Sequence, residues 1–204
     1  MLPHFLIGAT LGFAAAAQPG PMQAYLVSQA VNHGWRRALP IAFAPLLSDL
    51  PTATLSIFVL SRVPAWFSAW LRLAGGLFLV YLAWGAFRMW RFQKSLETAA
   101  PPSAGYGAIK GALVNILNPN PWMAWTLVIG PLLVKAWREA PGHGIAFLTG
   151  FYGVLLSGMV ATVLVFGLAR RFGPGVSRAL TGISAAALAA FGCCLTFSGL
   201  AGLR

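Results

Sequence analysis

The stretch AAAAQPGPMQAYL, Ala14 to Leu26, lies inside an apolar run that otherwise has the character of a membrane helix. It carries Pro19 and Pro21 with Gly20 between them and Gln18 in front. Each proline removes a backbone donor and crowds the turn before it, so a helix must break or kink here. A hydrophobic segment interrupted near its centre is the feature that decides the fold.

Composition sets the solvent in which that break sits. The chain has 204 residues, 58% hydrophobic and 8% charged, with a mean hydropathy of +0.76. A soluble domain averages about 25% charged residues, so the chain is read as an all-α integral membrane protein. Eight tryptophans suit interfacial belts. The net charge of +11 falls between the apolar runs. It is therefore read as loop charge facing anionic lipid, and no nucleic-acid partner is expected. The start, MLPHFLIGAT, lacks the basic region of a cleavable signal peptide, and none is expected. Cys193 and Cys194 are adjacent, form neither a redox CxxC nor a zinc spacing, and are read as packing residues.

Apolar runs of about 20 residues, the length that spans a bilayer, fall at 4–30, 38–61, 66–90, 107–133, 143–168 and 179–203. The longest connector, RFQKSLETAAPPSAGY, contains Pro101-Pro102 and reads as a flexible linker. The chain thus divides into a three-helix repeat at 1–90, a cytoplasmic linker at 91–106 and a second repeat at 107–204. Nine basic residues flank connectors one, three and five (Arg36, Arg37, Arg88, Arg91, Lys94, Lys110, Arg170, Arg171, Arg178), against five elsewhere (Arg62, Arg72, Lys135, Arg138, Arg204). Positive-inside bias puts those connectors in the cytoplasm and both termini outside a plasma membrane, the inner membrane of a bacterial cell.

The halves match. Gln18-Pro19-Gly20-Pro21 corresponds to Asn118-Pro119-Asn120-Pro121, and Met22-Gln23-Ala24-Tyr25 to Trp122-Met123-Ala124-Trp125. Leu46-Leu47-Ser48-Asp49 in the second run corresponds to Leu155-Leu156-Ser157-Gly158 in the fifth. An odd number of helices per half makes the repeat inverted, and paired discontinuous helices in such a repeat point to a transport site near the midplane. Each break frees backbone N–H groups, a seat for a carboxylate. The amides of Gln18, Asn118 and Asn120, with freed carbonyls, suit the cationic end of a zwitterion.

At these residues the chain resembles the LysE-type amino-acid exporter family (LysE/RhtB-like translocators). The resemblance rests on Pro19-Gly20-Pro21, Asp49 and Asn118-Pro119, with Gly34, Gly111 and Asn115 at further family-like positions. It implies six helices in an inverted three-plus-three repeat, a homodimer, and proton-driven export of amino acids or their derivatives. Two departures bear on the substrate. Met22 stands where many relatives have Asn, and Asn120-Pro121 stands where they often have a lysine.

Asp49 is the only carboxylate within a predicted span, since Glu97 and Glu139 lie in connectors. An ionisable group in lipid is costly and by default functional. Proton coupling or substrate-amine binding is the functional role; a cap for the distorted helix between Pro45 and Pro51 is the structural one. Tyr25, Trp122 and Trp125 follow the breaks and are either cavity walls or plain aromatic packing. The small residues Ala146, Gly150, Gly153 and Ser157 permit close helix contact, within the chain or between copies.

Other classes fare worse. Transmembrane thiol exchange needs a cysteine in each half, and both fall in the sixth run. Export of a cation or divalent metal is the closer rival, but a hard cation wants several oxygen ligands and a soft one wants thiolates or imidazoles. With one buried Asp, and His4, His33 and His143 at the edges of the runs, no metal site and no cofactor are expected. A hydrolase would need a nucleophile with a base or a metal-bound water, so no enzymatic activity is expected.

Overall fold

A computed structural model describes residues 1–59, 65–91, 104–169 and 174–202. The connector at 61–64, most of the predicted linker at 91–106 and the residues at 170–173 lie outside them. Every regular element among the described residues is helical: α1 (Leu2–Ala17), α2 (Pro21–His33), α3 (Trp35–Ala38), α4 (Ala44–Val59), α5 (Ala65–Arg91), α6 (Ala104–Leu117), α7 (Pro119–Ala124), α8 (Gly130–Glu139), α9 (Pro141–Ala169) and α10 (Pro174–Ala201). A 3-10 segment, Leu39–Phe43, joins α3 to α4, and a π-helical turn, Trp125–Ile129, joins α7 to α8.

Among the described residues three stretches are long and apolar enough to cross a membrane: Trp35–Leu55, Pro141–Ala169 and Arg178–Ala201. The first and fourth predicted runs fall short because proline cuts each in two, leaving the apolar pieces Leu2–Ala17 and Gly107–Leu117. Two expected connectors are largely helical. NHGWRR is interrupted only at Gly34, whose φ of 82° needs a residue without Cβ. KAWREAPGH continues the fourth run to Glu139 and restarts at Pro141, with extended Ala140 alone between them.

Helix pairing follows small residues. Gly8 and Gly12 lie on the Phe147 and Phe151 carbonyls, and Gly150 on that of Phe5, so α1 and α9 run parallel with backbones touching. Side chains at any of the three would force the helices apart. Gly111 against Ile41 and Ala44, and Asn115 against Ser48, set α6 parallel to α4. Gly76, Gly192 and Gly199 set α10 antiparallel along α5. Gly150 therefore serves a contact within the chain, whereas Gly153 and Ser157 face outward. On α4, Leu46, Leu47 and Leu50 are exposed while Ser48, Asp49 and Thr52 are buried, so the polar stripe faces inward. Its counterpart differs, because Ser157 is exposed where Ser48 is wholly buried.

Candidate functional site

Both double-proline motifs interrupt the helix, each more narrowly than their length suggests. The first break covers Gln18, Pro19 and Gly20; the second is Asn118 alone. Pro21 and Pro119 open the next helix, and Pro121 lies in its first turn, where a missing N–H costs nothing.

The broken ends are patched in the same way. In a continuous helix the N–H of Gly20 would bond Ala16 O, and that of Asn120 would bond Ile116 O. Instead Gln23 Nε2 donates to Ala16 O at 2.6 Å, and Trp122 Nε1 donates to Ile116 O at 2.7 Å. At the second break Asn118 Oδ1 also accepts from the Asn120 N–H at 3.1 Å, a side-chain cap on α7. At the first break no side chain caps α2. Its leading N–H groups, those of Met22 and Gln23, stay available.

The two breaks meet. A cavity of about 100 Å³, room for a small molecule rather than one water, is lined from the first break by Gln18, Gly20, Met22 and Gln23 and from the second by Asn118, Asn120 and Pro121. Asp49, Asn115, Trp125 and Phe151 close its sides.

Asp49 is 4% exposed. Asn115 Nδ2 donates to its Oδ1 at 3.1 Å and to Ser48 Oγ at 2.7 Å, and the Tyr152 hydroxyl donates to Oδ2 at 3.3 Å. The Trp125 indole faces the same carboxylate. An amide nitrogen can only donate, whereas a phenol can turn from donor to acceptor. Tyr152 can therefore follow a proton arriving on Asp49 while Asn115 holds the carboxylate in place.

Five expected substrate contacts do not line this cavity: Pro19, Pro21, Tyr25, Pro119 and Trp122. Tyr25 is 2% exposed and directs its hydroxyl at Gly107 O, 3.3 Å away, between α2 and α6. Trp122 is occupied with Ile116 O, and Pro119 is buried beside it; neither lines the cavity, and nor does exposed Pro19. Sequence reasoning missed Gln23 and Tyr152. The second signal was available only as a tyrosine three residues before the Leu155-Leu156-Ser157-Gly158 counterpart of the Asp49 segment. Among the described residues His4, His143 and Glu139 also converge, far from this cavity in the fold, where sequence placed no cluster.

No curated protein and no solved structure matches the chain. A family profile described as LysE type translocator matches residues 13–199, nearly the whole length, including both breaks and Asp49. Its apolar helices and this match together make the chain a multi-pass membrane transport protein that belongs to the LysE type translocator family.

Proposed function

We propose that the protein exports an amino acid or amino-acid derivative in exchange for protons, through the cavity between the two helix breaks. The observation that carries this is the convergence of both breaks and the membrane-embedded Asp49 on one cavity. The uncapped start of α2 seats the substrate carboxylate on the Met22 and Gln23 N–H groups, with the positive helix end behind them. The amides of Gln18, Asn118 and Asn120 and the Asp49 carboxylate receive the ammonium group. Substrate amine and proton then compete for one negative site, which is the requirement for antiport. A metal ion is a poorer cargo: among the described residues Asp49 is the sole carboxylate on the lining, and no imidazole or thiolate joins it.

The six runs form two inverted three-helix repeats, 1–90 and 107–204, joined by a cytoplasmic linker at 91–106, with both termini extracytoplasmic. Pairing supports the repeat, since the first run lies parallel to the fifth as the fourth lies parallel to the second. Matched repair of Ala16 O and Ile116 O, 100 positions apart in the sequence, supports it again. Such repeats carry their sites where their broken helices meet. A panel of labelled amino acids in proteoliposomes with an imposed pH gradient tests the function. Gradient-dependent movement of at least one member is expected, and gradient-independent behaviour of all of them would remove the proposal.

A further inference from the structure

Outside the transport cavity, one cluster has the donors and spacing of a metal centre. His4 stands in the first turn of α1, Glu139 ends α8, and His143 stands in the first turn of α9. His4 Nε2 lies 3.0 Å from Glu139 Oε2, and His143 Nδ1 lies 3.4 Å from the same oxygen. One donor atom from each residue falls within 4.8 Å of the others. The imidazoles stack with centroids 4.3 Å apart, and Nδ1 of each ring is buried without a hydrogen bond. His143 Nδ1 thus makes an ion-pair contact with Glu139 without hydrogen-bond geometry, and buried ring nitrogens without a hydrogen bond are uncommon and call for an explanation.

We propose that His4, Glu139 and His143 form a binding site for a borderline divalent transition metal, with Zn²⁺ as the fitting ion. Two imidazoles and one carboxylate are a three-ligand zinc set that leaves a fourth position for water. Tetrahedral zinc with arms of about 2.0–2.1 Å has edges of about 3.3–3.4 Å between its ligand atoms. The distances of 3.0 and 3.4 Å are close to that before any ion contracts or opens them. Oxygen-only ions such as Mg²⁺ and Ca²⁺ do not suit imidazole donors. Two stacked rings cannot aim both lone pairs at one point, so binding must turn one ring out of the stack.

The scaffold around the cluster is stiff. Gly8 on the Phe147 carbonyl fixes the α1–α9 register one turn beyond the histidine pair, which brings His4 beside His143. Trp137 packs its ring on Gly144, where any Cβ would meet it, and this anchors the end of α8 that carries Glu139. Side-chain exposures of 20%, 29% and 43% for His4, His143 and Glu139 leave a way in from solvent. Bound metal ties α1, the helix that leads into the first break, to α8 and α9.

The test uses full-length protein purified in detergent without a polyhistidine tag and treated with chelator. Zn²⁺ titration in competition with a chromogenic chelator should give one equivalent per chain. Removing mere hydrogen-bond partners of metal ligands costs about 10–100-fold in affinity. Loss of two ligands in the His4→Gln/His143→Gln double variant should therefore weaken binding by at least about 100-fold. His33→Gln, at the end of α2, should bind as wild type does. No zinc bound by wild type, or undiminished binding by a folded double variant, overturns the site. If the double variant does not fold, X-ray absorption of zinc-loaded wild type decides. Scattering from two imidazoles at about 2.0–2.1 Å supports the site, and its absence overturns it.

Discussion

At the first break Gln23 reaches back to Ala16 O, and at the second Trp122 reaches back to Ile116 O. Proline created the same defect twice, and a side chain from the following helix mends the same carbonyl twice. The breaks then part company. Asn118 turns its own oxygen onto the Asn120 N–H, whereas Gln18 leaves the start of α2 uncapped. A Cβ on Gly20 would meet nothing within 4 Å. The second break is closed on itself, and the first is open. Of two sequence-matched motifs, one is capped by its own side chain and the other leaves its helix start uncapped.

Filling the open break should have the largest effect. Gly20 is extended, with φ −172° and ψ −178°, so any residue can adopt its backbone, and the space beside it is free. Gly20→Leu should therefore fold and express while transport falls by about 100-fold, the scale of a misplaced reactant. Substrate flux in proteoliposomes checks this. A Gly20→Leu protein that transports normally would mean that the open break is not the seat.

The matched repairs come next. Gln23→Leu and Trp122→Phe each leave a carbonyl without its donor, at a cost of about 1–3 kcal/mol. Denaturant or thermal unfolding in detergent should find the two losses similar. Substrate affinity should change only for Gln23→Leu, because Gln23 lines the cavity and Trp122 does not. A smaller loss of about 1 kcal/mol is expected from Asn118→Ala, which removes a cap. That corresponds to a midpoint lower by about 2–4 °C for a chain of this length. Asn118→Asp keeps the accepting oxygen and should recover it. Equal stability of Asn118→Ala and wild type would erase the contrast between the breaks.

The smallest effect belongs to Tyr25→Phe. Its long hydrogen bond to Gly107 O should contribute under about 1 kcal/mol. Substrate selectivity should not move. A change in selectivity would return Tyr25 to the site.

Much of this was legible in the sequence because proline acts locally. The positions of both breaks and the buried carboxylate at Asp49 follow from residue types alone. Side-chain partners were less legible. Residue type leaves Trp122 either a cavity wall or plain packing, but the break it follows frees Ile116 O, and the Trp122 indole N–H satisfies it. Trp125, three residues on, starts a π turn and reaches the cavity instead. That wider turn changes the phase of the helix, so faces assigned at 3.6 residues per turn no longer apply beyond it. Tyr152 meets Asp49 across 103 positions, a tertiary contact between α9 and α4 that no local pattern encodes. The connector KAWREAPGH became helical because its basic and acidic side chains can all lie on one exposed face of α8.

The central claim is that Asp49 exchanges a proton in the cavity where the two breaks meet. Asp49→Asn keeps the size of the side chain and cannot ionise, and Gly158, its counterpart in the second half, has no group to substitute for it. Proton flux accompanying substrate in proteoliposomes, wild type against Asp49→Asn, measures the claim directly. Wild type should move protons against substrate. Asp49→Asn should exchange labelled for unlabelled substrate with no proton movement attached. Undiminished coupled proton flux in Asp49→Asn would show that the carboxylate only supports the fold, and the mechanism would be wrong.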